Sequence, residues 1–339
     1  MECYIKRSLK SKYTIIYAIT VYMVNYIIKK SLKRIAPYLI RFSTMSTMNN
    51  INVNKENSTT FSDSDYNSAA YNTYRPTYSS RLFSKIYDYH VSHSSSFSTA
   101  LDVATGTGYV AKELSKKFQQ VYATDISQVM LSSVSRSPNI QYSISAAENL
   151  SQFQDSTFDL VTVGQAVHWF DREKFFNEAW RVLKPSGTLA IWGYSYHVVD
   201  GYPVATKKFM KLVLETFGDY WNPGNPEKLE INILYKGIVL PDELFRNIIW
   251  ERYEFDEKGG KISNGESLLS EEWSVERLKS YMKTWSAYKN YMAKYQKENQ
   301  KVEDPINKLF EELKEEEGWK DDQILKVSWL FVLALAEKK

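Results

Sequence analysis

Cysteine is almost absent from this chain of 339 residues, in which Cys3 is the single example. One thiol cannot form an intramolecular disulfide, and it excludes a zinc site built on several cysteines. Histidine is scarce as well, and His90 and His93 form the one closely spaced pair among the four. This pair adjoins a serine-rich stretch, and we predict no metal site in the chain.

Glycine and proline are also sparse, with 13 and 9 residues, which argues against a fibrous or low-complexity protein. Aromatic residues are abundant instead: the chain has 25 tyrosines, 16 phenylalanines and 9 tryptophans. A chain of this length can bury a substantial core, as one large domain or two small ones. The composition therefore predicts an aromatic-rich globular protein.

Acidic residues are nearly missing from the start of the chain. The first 44 residues hold nine lysines and arginines but only Glu2 as an acid, whereas the remainder holds 34 basic and 39 acidic residues. The body of the protein is therefore mildly acidic, and its composition gives no basic footprint for nucleic acid. We predict no nucleic-acid partner.

Residues 13–28 of the basic leader form an apolar and aromatic run. Three hypotheses stay open for residues 1–44. They could form a membrane anchor, although a membrane span needs roughly 17–25 residues. They could instead form an organelle-targeting segment, because such segments are basic and poor in acidic residues. In the third hypothesis, translation starts at Met45 or Met48 and these residues are not made. We expect a cytoplasmic protein, or a membrane-anchored or mitochondrial one if the leader is expressed, with membrane contact through residues 1–44 alone.

Residues 45–70 are rich in serine, threonine and asparagine, which predicts a polar linker. From residue 71 to residue 339 we predict one domain, with cap elements in residues 195–245 and 256–320. We expect this domain to be a monomer or a homodimer.

Short apolar runs alternate with helical patterns from residue 98 onward. The runs that predict strands lie at 99–104, 121–124, 141–145, 158–164 and 187–194. Repeated strand–helix units of this length are typical of an α/β fold with a doubly wound parallel sheet and right-handed crossovers. Beyond them, residues 245–255 and 325–333 read as two further strands, and helical spacing over 274–297 predicts one long amphipathic helix.

The loop after the first strand is the most informative stretch, "LDVATGTGYVA" over residues 101–111. Gly106 and Gly108 permit positive φ and let a ligand approach the backbone closely. The predicted helix, Tyr109 to Phe118, then offers N–H groups to an anionic group. The same spacing, with Ala111, also satisfies the dinucleotide-binding fingerprint, so it does not decide between ligands by itself.

Two carboxylates beside this loop favour one ligand. Asp102 lies at the end of the first strand, where a carboxylate repels a pyrophosphate and suits an ammonium group. Asp125 ends the second strand, where a carboxylate accepts both hydroxyls of a ribose. An ammonium, a ribose and no phosphate together indicate S-adenosylmethionine.

Other functions stay open at this point. One alternative is an NAD(P)-dependent oxidoreductase, because the glycine spacing fits it equally well. Another is a cofactor-binding protein without turnover that contacts lipid through its basic leader. A third is a structural turn that binds nothing.

The order of the motifs "LDVATGTG", "AAENL", "FDLVTVGQAVHWF" and "RVLKPSGTLAIWGY" resembles the class I S-adenosylmethionine-dependent methyltransferases of the type 11 group. The segments "DYWNPG", "LPDELF" and "KTWSAYKNYM" are similar to fungal trans-aconitate methyltransferases. This resemblance implies a Rossmann-like, seven-stranded and mostly parallel methyltransferase sheet with a helical cap. It also implies methyl transfer from S-adenosylmethionine to a small molecule, with an acidic, aconitate-like acceptor as the first choice.

The resemblance implies eleven contacts to the cofactor: Asp102, Ala104, Thr105, Gly106, Gly108, Asp125, Ile126, Ala147, Glu148, Gln165 and Ala166. Asp102 and the glycines would hold the methionine end and Asp125 the ribose. Ile126 would cover one face of the adenine and Glu148 would contact its amino group. Ala104 stands where the family often has its first glycine, a change that we expect to cost little because alanine is the next smallest residue.

His168 is the residue whose role is most open. It follows the fourth strand, at the sheet edge where ligands bind in open α/β folds. It could orient the substrate, act as a general base, or pack as a ring. A carboxylate acceptor is already deprotonated and needs no base, whereas an amine or a phenol benefits from one. The predicted acceptor contacts are Tyr74, Arg75, His168, Trp169 and Tyr194, with His168 as the catalytic candidate.

Overall fold

The structure is a computed structural model that describes residues 75–94, 96–134, 136–221, 234–256, 261–262, 265–297 and 303–339. The predicted leader and linker, and the candidate Tyr74, lie outside the described residues. Among the described helices, none is both long enough and apolar enough to cross a membrane.

Ten strands and eight helices are described. The strands are β1 (Thr99–Val103), β2 (Gln120–Asp125), β3 (Ile140–Ile144), β4 (Phe158–Gly164), β5 (Leu183–Val199), β6 (Phe245–Tyr253), β7 (Phe255–Asp256), β8 (Lys261–Ile262), β9 (Ser270–Ser274) and β10 (Ile324–Lys338). The helices are α1 (Ser80–Val91), α2 (Tyr109–Leu114), α3 (Gln128–Ser132), α4 (Arg172–Val182), α5 (Pro203–Lys211), α6 (Val275–Lys283), α7 (Ser286–Lys297) and α8 (Pro305–Glu317).

One large sheet carries the fold, in the order β3-β2-β1-β4-β5-β10-β6, with β9 also paired to β10. Neighbours from β3 to β5 run parallel, and β10 is antiparallel to β5, β6 and β9. The predicted Rossmann-like methyltransferase sheet is thereby confirmed, with β9 added to its seven strands. Because the strand order reverses at β1, its carboxyl end beside β4 is where this topology places a ligand.

The centre of the sheet is buried on both faces because β1, β4 and β10 supply apolar side chains in both directions. In β10, Phe331 and Leu333 belong to one buried cluster, whereas Val332 and Ala334 belong to the other. Side chains alternate between the faces of a strand, so an uninterrupted apolar run feeds both layers at once. The central strands therefore lie between two buried apolar clusters.

The prediction of one long helix over 274–297 is wrong. Helix α6 ends at Lys283 and α7 begins at Ser286. The carbonyl of Tyr281 accepts from the backbone N–H of Thr284 at 2.9 Å and from its hydroxyl at 2.6 Å, which ends the helix there. Trp285 consequently lies in the break and is buried.

Two other predicted boundaries differ. Helix α2 ends at Leu114 and not at Phe118. Strand β5 was predicted over 187–194 but continues to Val199, because beyond its last pairing with β4, Gly164 with Trp192, it still pairs with β10. This extension carries β5 past the edge of the parallel sheet.

Candidate functional site

The loop between β1 and α2 has an unusual backbone. Ala104, Gly106 and Gly108 have φ values of +55°, +58° and +80°. Glycine adopts this region freely, whereas an L-residue in it is less stable by roughly 1–2 kcal/mol. The expectation that Ala104 costs little is therefore wrong, because this position needs the left-handed conformation and not merely a small side chain.

Gly108 has a second, steric reason to be glycine. A Cβ atom there would lie 2.6 Å from the hydroxyl of Tyr142, which reaches across from β3. At Gly106 the nearest atom is the terminal carbon of Met130, at 3.6 Å. The two glycines thus serve different purposes: Gly106 needs only its conformation, and Gly108 also makes room for Tyr142.

Asp102 is 1% exposed and points into the protein. It accepts hydrogen bonds from the hydroxyls of Thr105 at 2.5 Å and Thr162 at 2.8 Å, and from the backbone N–H of Ala111. Burial raises the pKa of this carboxyl group to about 7, against the effect of these hydrogen bonds. Asp102 therefore fastens the glycine loop and α2 to β1, and its predicted contact with an ammonium group stays a prediction.

Asp125 ends β2 and reaches the same loop. Its two oxygens accept from the backbone N–H groups of Gly106 and Ser127, each at 2.8 Å. Each carboxylate oxygen has a further lone pair, so the group can also accept from a diol. Ile126 follows with 63% of its surface exposed. The structure thus brings Asp125 together with the glycine loop, beside an exposed apolar side chain.

Ala147 and Glu148 follow β3. Ala147 is buried, and Glu148 accepts from the backbone N–H of Asp171 at 2.8 Å. Asp171 caps α4 by accepting from the N–H of Lys174 at 3.3 Å. Glu148 therefore connects the loop after β3 to the start of α4, and its predicted contact with adenine stays a prediction.

Gln165, Tyr194 and Arg75 form a connected group at the ends of β4 and β5. The side-chain amide of Gln165 donates to the carbonyl of Tyr194 at 2.8 Å and accepts from its N–H at 3.1 Å. Arg75 donates to the Tyr194 hydroxyl at 3.0 Å. Gln165 has a φ of +58°, and Ala166 after it is buried. Sequence reasoning assigned Gln165 to the cofactor and Arg75 and Tyr194 to the acceptor, and the structure joins these three through Tyr194.

His168 is held by aromatic neighbours. It is 8% exposed, and its Nδ1 lies 3.0 Å from the hydroxyl of Tyr235. Its ring lies 5.3 Å from that of Trp169 and 5.9 Å from that of Tyr235. Sequence reasoning missed Tyr235, which is fully buried, because it lies in no periodic segment. These contacts fix the orientation of the imidazole ring.

Potential metal ligands are not clustered in the part of the chain that the structure describes. No group of three or more histidine, cysteine, aspartate or glutamate side chains there could hold an ion. His90 and His93 both lie against the Thr188 hydroxyl, at 2.8 and 2.9 Å, which gives them a structural role.

The comparisons with known proteins point to one family. Residues 101–191 match the methyltransferase domain family. A protein of Dictyostelium discoideum named as a methyltransferase is 34% identical over 157 residues, which cover 46% of this chain and 58% of that protein. The Saccharomyces cerevisiae protein CRG1, named as an S-adenosylmethionine-dependent methyltransferase, is 24% identical over 302 residues, 83% of this chain and 99% of its own length.

Among solved structures, one named as a type II methyltransferase from Anaeromyxobacter dehalogenans superposes with a TM-score of 0.59. It is 21% identical and is covered over 97% of its length, against 78% of this chain, so it supports the methyltransferase fold. The matches agree with the predicted class I methyltransferase and do not favour the oxidoreductase alternative. The similarity to trans-aconitate methyltransferases, the oligomeric state and the location stay predictions.

Proposed function

We propose that this chain is an S-adenosylmethionine-dependent methyltransferase that acts on a small molecule. The observation that carries the proposal is the hydrogen bond from the Gly106 N–H to Asp125, which fixes a left-handed glycine loop beside a carboxylate at the ligand-binding edge of the sheet. This hydrogen bond holds Asp125, the proposed acceptor for the ribose hydroxyls, next to the glycine backbone that we propose contacts the methionine end.

The residues at this edge fit the proposed cofactor. Gly106 and Gly108 leave the backbone open to close approach, and Asp125 can accept from two hydroxyls. Ile126 offers an exposed apolar face for a planar base. Asp102 lies behind the loop, where its negative charge favours an ammonium group.

When bound, S-adenosylmethionine would supply an electrophilic methyl group on a sulfonium, and transfer of this group to an acceptor oxygen would leave the C–S bonding electrons on sulfur as the thioether of S-adenosylhomocysteine. The protein needs to align the acceptor and exclude water. Gln165 serves this end by fixing Tyr194, whose hydroxyl in turn accepts from Arg75.

The proposed acceptor is a small carboxylic acid, such as an aconitate-like one. Arg75 supports this proposal, because a guanidinium at the edge of the site is suited to a carboxylate. It lies close enough to Tyr281 to lower that residue's pKa, although burial and the neighbouring Tyr194 raise it overall to about 12. A carboxylate acceptor needs no general base, so the packed His168 is consistent with it.

The proposed function is tested by incubating the protein with a metabolite extract and donor labelled in the methyl group, followed by mass spectrometry. We expect label in small acidic metabolites, and we expect mild alkali to release it because methyl esters hydrolyse. Absence of labelled products would contradict methyl transfer. Label that resists alkali would contradict a carboxylate acceptor.

Donor binding should depend on pH through Asp102. Its pKa of about 7 in the free protein means that it is largely protonated at pH 6 and largely charged at pH 8. Only the charged form attracts an ammonium, so the affinity for S-adenosylhomocysteine should rise by up to about tenfold from pH 6 to pH 8. Calorimetric titrations at pH 6, 7 and 8 measure this rise. The Asp102→Asn variant should show a flat profile, and an unchanged slope in it would contradict the assignment.

His168→Asn separates orientation from base catalysis, because asparagine keeps a hydrogen-bond donor and loses the base. We expect kcat to fall by no more than about tenfold, since a general base typically contributes 10²- to 10⁴-fold. Tyr235→Phe is the matched control, because it removes the hydroxyl that His168 contacts. A much larger loss of kcat in His168→Asn alone, with intact donor binding, would indicate a base.

A further inference from the structure

The extended end of β5 contains a bulge that redirects one histidine. Tyr194 pairs with Phe331 of β10, and His197 pairs with Trp329. Between these two pairs β5 advances by three residues and β10 by only two, so β5 contains one extra residue. Side chains three apart on a regular strand point to opposite faces. The extra residue turns His197 to the face of Tyr194, where α5 and α6 pack through Phe209 and Tyr281. Bulges of this kind often re-aim a side chain beside an active site.

His197 is buried in an aromatic cage, with 2% of its surface exposed. The neighbouring ring centroids lie between 5.1 and 6.1 Å away and belong to Phe209, Tyr281, Trp285 and Trp329. Within the described part of the chain, neither nitrogen of this imidazole has a hydrogen-bond partner. Burial lowers its pKa to about 3, so the ring is neutral and offers one donor and one acceptor.

An irregular turn points to the same cluster. Residues 212–216, after α5, form a wide π-type turn, a feature that often marks functional sites. The carbonyl of Val213 in this turn accepts from the indole of Trp221 at 3.1 Å. That indole packs 5.6 Å from the ring of Trp285, which itself contacts His197. The bulge in β5 and the wide turn over residues 212–216 therefore both lie next to the aromatic cage.

The cage adjoins the proposed acceptor edge. Tyr194 lies three residues before His197 on β5 and on the same face, and its hydroxyl accepts from Arg75 at 3.0 Å. Tyr194 is tied in turn to Gln165, at the proposed donor site. A molecule with a carboxylate near Arg75 would therefore extend toward aromatic rings and a neutral imidazole.

We propose that His197 and its aromatic cage select the methyl acceptor, a planar aromatic or unsaturated acid with an uncharged hydroxyl directed at His197. This inference rests on the proposed function. Flat aromatic side chains favour a flat ligand, and a hydroxyl can donate to one form of the neutral imidazole or accept from the other. An apolar group at the same place would leave the imidazole without a hydrogen bond.

Three carboxylic acids test the inference on protein saturated with S-adenosylhomocysteine: 4-hydroxybenzoate, benzoate and cyclohexanecarboxylate. By calorimetry we expect 4-hydroxybenzoate to bind about tenfold more tightly than benzoate, the scale of one hydrogen bond in a buried site, and cyclohexanecarboxylate to bind weakest. In His197→Phe, 4-hydroxybenzoate should bind no better than benzoate, while S-adenosylhomocysteine binding stays unchanged.

Trp319→Phe is the matched control. Trp319 is also buried, and its indole nitrogen also lacks a hydrogen-bond partner in the described residues. Its ring lies against Tyr202, Phe310 and the outer side of the cage at Phe209, and not against His197 itself. This variant should keep the preference for the hydroxyl.

The inference is overturned if the wild-type protein binds none of the acids or does not distinguish them. It is also overturned if His197→Phe keeps the preference, since another group would then recognise the hydroxyl. The comparison of the three acids uses the wild-type protein, so its outcome does not depend on whether a variant folds. Failure of the wild-type protein to bind S-adenosylhomocysteine would contradict the proposed function itself.

Discussion

Asp125→Ala is expected to weaken S-adenosylmethionine binding by ~1.5–3 kcal/mol, the scale for losing a hydrogen bond to a charged group. The carboxylate is proposed to accept the ribose hydroxyls, and it also holds the N–H of Gly106 at 2.8 Å. Its removal should therefore take away a ligand contact and release the loop that shapes the site. Calorimetric titration with S-adenosylmethionine measures the loss.

Asp159→Ala provides the matched control. Asp159 also accepts from a backbone N–H, that of Thr99 at 2.8 Å, and it pairs with Lys184. Asp159 lies at the start of β4, whereas Asp125 lies at the end of β2. The two carboxylates are therefore at opposite ends of the parallel strands, and Asp159 is remote from the carboxyl ends where the ligand is proposed to bind. We expect Asp159→Ala to lower stability without changing donor affinity. Equal affinity in wild type and Asp125→Ala would show that the ribose assignment is wrong.

Gly108→Ala is expected to destabilise the protein by about 2–5 kcal/mol. Part of this loss is the left-handed φ of +80°, which costs an L-residue about 1–2 kcal/mol. The rest is overpacking, because the new Cβ would lie 2.6 Å from the hydroxyl of Tyr142, and such crowding typically costs about 1–3 kcal/mol. Urea unfolding measures the total.

Gly106→Ala is the comparison that separates the two causes. Its φ is also positive, but the nearest atom to a new Cβ is 3.6 Å away, so we expect a loss of only about 1–2 kcal/mol. Combining Gly108→Ala with Tyr142→Phe should recover part of the loss, because the closest atom is removed. Equal losses at both glycines, with no recovery in the double variant, would contradict the steric argument.

The central parallel strands β1 and β4 could be predicted because each is a short apolar run buried on both faces. Asp125 could be placed for a related reason: a carboxylate that ends such a run must lie at the ligand-binding edge. The hydrogen bond from Asp125 to Gly106 could not be read from the sequence, because it depends on how the loop folds back on β2.

The region from α6 to α8 was harder to predict because single residues there interrupt the periodic pattern on which the prediction depends. Helical spacing runs through Thr284 without interruption, yet the hydroxyl of that residue ends α6. Helix α8 has signals that were available in the sequence: Asp304 and Pro305 at its start and Gly318, with a φ of +68°, after its end. Sequence reasoning assigned only a cap region to these residues.

His197 shows why side-chain direction can escape a sequence pattern. Alternation along β5 places it on the face opposite to Tyr194, and only the register with β10 reveals the bulge. Similarly, the register between β2 and β3 pairs Ala123 with Tyr142, whose hydroxyl reaches Gly108. Pairings between strands, and not patterns within one strand, decide both contacts.

Calorimetric titration of the purified protein with S-adenosylhomocysteine, and with NAD and NADP as comparison ligands, tests the central claim most directly. The proposed function predicts saturable binding of S-adenosylhomocysteine and no binding of either nicotinamide nucleotide. Binding of NAD or NADP without binding of S-adenosylhomocysteine would contradict it.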